Sequence, residues 1–145
     1  MGDLAKEINS KFENERTKAL INIKYTANFL DNIGNEILKP FYISEQQYNI
    51  LRILRGAKKA ITVNSVKERM IQKSPNSTRL MDKLCDKKLI DRMRCENDRR
   101  VVYVKITERG LKLLNRISLN LLNEKMNSLT EKEAQLLNNL LDKIR

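Results

Sequence analysis

The sequence predicts a mostly α-helical protein with one small β-hairpin. Three observations carry that prediction. Apolar residues recur at steps of three or four along most of the chain; the period changes to strict alternation only within residues 90–107; and helix-start signals stand ahead of the periodic stretches.

The first long periodic segment runs from about Ser10 to Lys39. Ala19, Ile23, Ala27, Leu30, Ile33 and Ile37 fall on one helical face, and Pro40 ends it. Ser10 with Glu13 fits a capping box, in which two orphan amides are satisfied reciprocally, so the helix is broken or begins there. Ser44 with Gln47 fits the same pattern and opens a helix over Glu45–Arg55, lined by Tyr48, Leu51 and Leu54, with Gly56 as the expected C-terminal cap. A very short strand, "AITV", follows. Asn64–Ile71 forms the next helix with Val66 and Met70 inward. Pro75–Lys88 forms another, with Ser74 as cap, Pro75 at the first helical position, and Leu80, Leu84 and Cys85 inward.

"IDRMRC" and "VVYVKIT" then alternate around the polar turn "ENDR", which describes a hairpin. Thr107 caps a fifth helix carrying Leu111, Leu114, Ile117 and Leu121. Thr130 with Glu133 opens a sixth carrying Ala134, Leu137, Leu141 and Ile144. The middle of the chain therefore reads helix, short strand, helix, helix, hairpin, which is a helix-turn-helix with a wing. The expected division is 1–43, 44–109 and 110–145: a central winged lobe between terminal helices.

Charge supports that division. The 145 residues hold 29 Lys and Arg against 18 Asp and Glu, a net charge of +11. Residues 44–109 hold 17 of the basic and 8 of the acidic residues, so the ends are near neutral and the middle carries the positive field. Such a field suits nucleic acid. Histidine is absent, and no nucleophile motif, phosphate-cradling glycine loop or metal-ligand spacing is present, so nothing supports catalysis, a cofactor or a metal. No apolar run suits a membrane span and no signal peptide is visible; a cytoplasmic protein with reduced thiols is expected.

A helix-turn-helix leads its second helix into the major groove with N-terminal residues. Here that helix starts "SPNSTRLMDKL", making Ser74, Pro75, Asn76, Ser77, Thr78, Arg79 and Lys83 the candidate DNA contacts. Asn can pair with adenine and Arg with guanine, and Ser can bond bases or phosphate. Asp98, Arg99 and Arg100 mark the hairpin tip; an arginine suits the negative potential of a narrow minor groove, and Asp98 is expected to orient one guanidinium.

"ISEQQYNILRIL", "ITVNSVKERM", "NSTRLMDKLCDKKLIDR" and "CENDRRVVYVKITERGLKLL" resemble the MarR family of winged-helix transcription regulators over roughly residues 16–125. The resemblance implies a homodimer joined through its N- and C-terminal helices and binding double-stranded DNA at an inverted repeat, expected to act as a repressor. Arg100 matches the family's minor-groove arginine, and Pro75–Arg79 match the start of its recognition helix. Pro75 departs from the small polar residue of many relatives. Leu4, Ile8 and Phe12 give an added N-terminal arm an apolar edge, placed against the dimer interface.

Tyr25, Phe29, Phe41, Tyr42 and Tyr48 are expected where the lobes meet. They read either as ordinary core or as a pocket for a small aromatic effector, as the junction can hold in relatives. Cys85 and Cys95 read as small apolar packing residues, against a redox-sensor alternative. The competing function is a winged-helix protein-interaction module without specific DNA binding.

Overall fold

The computed structural model describes residues 2–145. Its elements are α1 (Leu4–Glu7), α2 (Glu15–Leu38), a 3-10 turn (Lys39–Phe41), α3 (Glu45–Ala57), β1 (Ile61–Thr62), α4 (Val63–Arg69), α5 (Ser77–Asp86), β2 (Ile90–Arg94), β3 (Val102–Ile106), α6 (Glu108–Arg116), α7 (Asn120–Met126) and α8 (Glu131–Asp142). The strands form an antiparallel sheet in the order β1-β3-β2, with Ile61 opposite Val104 and Arg94 opposite Val102. This is the mostly helical winged helix-turn-helix that the sequence predicts. Among the described residues no helix is long and apolar enough to cross a membrane.

Helix α3 is the central strut. Ile50, Leu51 and Leu54 are fully buried, and α3 packs on α2, α4, α5, α6 and β3. Each such side chain stabilises the fold by roughly 1.5–3 kcal/mol relative to exposure. Val66 of α4, Met81 and Leu84 of α5, and Val104 of β3 close the same core, which Leu38, Ile43, Leu114 and Ile117 also join. The capping box at Ser44 is complete: its hydroxyl accepts from the Gln47 amide at 3.1 Å and its amide donates to Gln47 Oε1 at 3.0 Å. The box at Thr130 is equally complete.

Several boundaries differ from expectation. The long N-terminal helix begins after Asn14, whose side chain accepts from the Thr17 amide; Ser10 instead donates its amide to the Ala5 carbonyl, so no cap forms there. The arm folds onto its own chain, with Leu4 buried and Asp3 paired to Lys18 at 3.5 Å. Gly56 lies inside α3, and Lys58 takes the left-handed position that ends the helix. The expected fifth helix is two helices, because Ile117 adopts an extended conformation to seat its side chain in the core. Packing overrode periodicity there.

Helix α5, the second helix of the helix-turn-helix, starts at Ser77, after a turn through Pro75 and Asn76. Ser74 organises that turn, its hydroxyl accepting from the Asn76 amide at 3.1 Å. Its inward face is Ser77, Met81 and Leu84, a face rotated from the expected one, with Leu80 and Cys85 half-buried.

Candidate nucleic-acid interface

Two elements project candidate DNA contacts: the N-terminal turn of α5 and the loop of residues 95–101 between β2 and β3. On α5, Thr78, Arg79 and Lys83 are exposed, as are Pro75 and Asn76 just before it, while Ser74 is half-buried. Ser77 is different. It is 1% exposed, and its hydroxyl donates to the Ser74 carbonyl at 2.6 Å, so it locks the turn and faces no ligand. The i, i+3 spacing of the two serines is the sequence signal for such a local bond.

At the hairpin tip, Asp98, Arg99 and Arg100 are all exposed. The Asp98 carboxylate accepts the Arg100 backbone N–H at 2.9 Å and its carbonyl accepts the Val101 N–H at 3.0 Å. Asp98 therefore shapes the backbone of the turn; the expected bond to a guanidinium is replaced by a bond to an amide, because a short side chain reaches its own chain two residues on more readily. Cys95 N–H closes the loop onto the Val101 carbonyl at 2.9 Å. Among the described residues neither Arg99 nor Arg100 is in an ion pair. The loop presents both side chains with their charge available.

The hairpin is tied to the recognition helix by a pair that sequence reasoning missed. Arg92 of β2 donates through Nη1 to Asp82 Oδ1 of α5 at 2.6 Å. The same region holds Cys85, half-buried, whose thiol is pushed up first by burial; Arg92 lowers it and Asp82, Asp86 and Asp91 raise it. A thiol held protonated is a poor nucleophile. Both cysteines are free.

The five aromatic residues do not form one cluster. Tyr25 and Phe29 sit on the solvent side of α2 and line neither of the two cavities beside the lobe junction. Tyr48 lines a cavity of ≈ 620 Å³ between α2, α3 and α7, with Leu30, Leu38, Leu119, Leu122 and Met126 as apolar walls. Arg52 lies 5.9 Å from the Tyr48 ring centroid. Glu45 also lines this cavity; burial, then the facing Asp31 carboxylate, pushes its pKa up. Phe41 and Tyr42 belong to a separate cleft of ≈ 360 Å³ on the far side of the 3-10 turn, where Tyr42 adopts a left-handed φ of 55°. Proline at position 40 forces that tight turn and splits the aromatic run in two.

Comparison with known proteins decides the family. The sequence model described as transcriptional regulator SarA/Rot matches residues 32–117, more than half of the chain. The chain belongs to this family. The SarA/Rot regulator is similar to a MarR transcription factor from Planctomyces limnophilus, 31% identical over 92% of this chain and 98% of that one, with a TM-score of 0.69. It is also similar to a mutant MarR from E. coli complexed with operator DNA, 29% identical over 99% of each chain, with a TM-score of 0.71. A curated relative, the HTH-type transcriptional regulator PecS of Dickeya dadantii, is 28% identical over 90 residues, which is 61% of this chain and 54% of PecS. The chain thus spans about half of that relative's length. The MarR-type winged-helix class expected from the sequence is established by these matches, and the relatives are described as transcriptional regulators.

Proposed function

We propose that this SarA/Rot regulator acts as a homodimeric repressor at an inverted-repeat operator. Residues 44–109 grip the duplex and the helices of 1–43 and 110–145 join the two copies. Asn76, Thr78 and Arg79, at the exposed start of α5, read base edges in the major groove, with Lys83 one turn further on. Arg100 enters the adjacent minor groove, with Arg99 beside it on the backbone. The observation that carries the reading is the tip of the wing: Asp98 fixes the loop through the Arg100 amide, leaving the guanidinium exposed and free of any ion pair among the described residues. The similarity to a MarR protein complexed with operator DNA supports it.

The test is selection of bound duplexes from a random pool. The expected product is a pseudo-palindrome whose half-sites lie about one helical turn, roughly 10 bp, apart. Affinity falls steeply with salt, because each neutralised phosphate releases counterions. Arg100→Ala weakens binding strongly, whereas Asn76→Ala or Arg79→Ala changes the preferred sequence. No enriched sequence together with a flat salt dependence would instead mark the lobe as a protein-interaction module. A small aromatic effector in the cavity beside Tyr48 would bias the packing of the two lobes; a phenolic panel that raises neither the melting temperature nor the operator Kd would exclude it.

A further inference from the structure

The turn that carries the chain from α4 into α5 has no apolar anchor of its own. Met70 before it and Ser77 after it are buried, but of residues 71–76 only Ser74 is even half-buried, and Ile71 is 87% exposed. A segment with so few buried contacts is placed by its hydrogen bonds. Ser74 supplies those inside the turn: its hydroxyl accepts from the Asn76 amide and its carbonyl from the Ser77 hydroxyl. Among the described residues only two hydrogen bonds tie the turn to another element, and both come from α3. Asn49 Oδ1 accepts the Ile71 N–H at 3.0 Å, and Gln46 Nε2 donates to Gln72 Oε1 at 3.0 Å. We propose that Asn49 is a positioning residue for operator recognition: by holding the main chain at Ile71 it sets the angle at which α5 offers Asn76, Thr78 and Arg79 to the base edges. Asn49 itself touches no DNA on the reading proposed above, on which this role rests.

The need for an acceptor arises where α4 ends. Met70 is extended, with φ −65° and ψ 136°, while its own amide still donates to the Val66 carbonyl at 3.1 Å. The Ile71 amide is the first that α4 no longer satisfies, and the Asn49 side chain supplies its partner. The bond spans 22 residues, so it is tertiary and not a local cap. Nothing else accounts for an asparagine there. Asn49 lies in the interior of α3, where asparagine is a poor helix former, and α3 meets the core through Gln47, Ile50, Leu51 and Leu54 instead. The bond therefore joins the least anchored segment of the winged lobe to its central strut.

The consequence for binding is selective. Phosphate contacts follow the charge of the lobe and supply the affinity that any duplex shares. Bonds to base edges carry the sequence preference and need the helix in one orientation. Asn76 follows Ile71 by only five residues, so a turn released at Ile71 carries the reading residues with it. Removing the Asn49 carbonyl oxygen should thus erode preference and spare general affinity.

The experiment measures Kd for the duplex enriched by selection and for a scrambled duplex of the same length, with full-length wild type, Asn49→Ala and Asn49→Asp. Alanine is the better helix former, so Asn49→Ala folds, and its melting temperature checks this. Its preference for the enriched duplex is expected to fall roughly fivefold, about the worth of one ordinary hydrogen bond, with the Kd for the scrambled duplex unchanged. Asn49→Asp keeps an acceptor for the Ile71 amide. Its added negative charge weakens both duplexes alike, so the preference returns to the wild-type value. A loss of stability alone would weaken both duplexes by the same factor. In the free chain the Ile71 amide is expected to exchange with solvent faster in Asn49→Ala and not in Asn49→Asp, a readout that needs no DNA. A wild type without any preference overturns the operator reading, and shows it before any variant is compared. With that preference present, an undiminished preference in Asn49→Ala, a loss that Asn49→Asp does not restore, or an Ile71 amide indifferent to the substitution would overturn the positioning role.

Discussion

The guanidinium of Arg92 lies 2.6 Å from the carboxylate of Asp82, joining the first strand of the wing to the recognition helix. Both side chains are partly exposed, at 33% and 50%, so the pair contributes little to stability: about 0.2–1 kcal/mol of coupling in a double-mutant cycle read by urea unfolding. Its effect on operator affinity separates positioning from charge. Asp82→Asn raises the net charge by one, and field strength alone predicts tighter binding. If the pair sets the wing against the helix, Asp82→Asn weakens binding a few-fold instead. Tighter binding in a fluorescence-anisotropy titration would show that the pair has no positioning role.

Two glycines make opposite predictions for the same substitution. A Cβ at Gly110 would sit 2.3 Å from the Leu89 carbonyl and 2.7 Å from Ile106 Cγ1. That carbonyl is immobile, since it accepts both the amide and the hydroxyl of Thr107, at 3.1 and 3.0 Å. Gly110→Ala therefore costs about 1–3 kcal/mol through overpacking, despite the better helix propensity of alanine. Gly56 lies within α3 with nothing within 4 Å of its would-be Cβ, so Gly56→Ala stabilises by roughly 0.5–1 kcal/mol. Urea midpoints of the two variants should move in opposite directions.

Two carboxylates at helix starts titrate with opposite consequences. Glu133 is held below its ordinary value of 4.5 by the amide and then the hydroxyl of Thr130. Its contribution to α8 is present above 4.5 and is lost as the pH falls through the lowered folded-state value. Glu45 is raised above the same ordinary value by burial and then by Asp31. The contribution of its protonated form is present below 4.5 and is lost as the pH rises through the raised folded-state value. Acidification should therefore fray α8 in the wild type and not in Glu133→Gln, read by helical circular dichroism. Glu45→Gln should raise the melting temperature at pH 7 and leave it little changed at pH 3.

What the sequence made legible were features set by local chemistry. The boxes at Ser44 and Thr130, the cap at Thr107 and the β2–β3 hairpin rest on residues a few positions apart, and they formed as expected; β2 buries only Ile90, so its alternation did not become an inward and an outward face. The start of α5 was displaced because Ser74 caps a turn before it caps a helix, and the burial of Ser77 followed from that bond. The partnership of Asp82 with Arg92 joins a helix to a strand, so no local period marks it. The aromatic residues of 25–48 were close in sequence, but the bend at Pro40 sends Phe41 and Tyr42 to one cleft and Tyr48 to another.

The apolar stripe of α8 gives the sharpest test of assembly. Leu136 and Leu140 of α8, and Ile144 just past its end, recur at steps of four and are 58%, 51% and 70% exposed, and α8 buries none of its residues. Leu20 and Ile23 of α2 are likewise uncovered. Apolar faces of this kind on both terminal helices are what a two-fold mate would cover. Leu136→Glu/Leu140→Glu should leave the chain folded, since exposed positions cost only about 0.5 kcal/mol or less when changed. Sedimentation should then report the 17.0 kDa chain alone, where the wild type is expected to report twice that mass. Operator affinity should fall with it, because a monomer engages one half-site and loses the high effective concentration that a joined second lobe supplies. A double variant that still sediments as a dimer would place the interface elsewhere, and a variant that is monomeric yet binds the full operator undiminished would remove the two-fold mode of recognition.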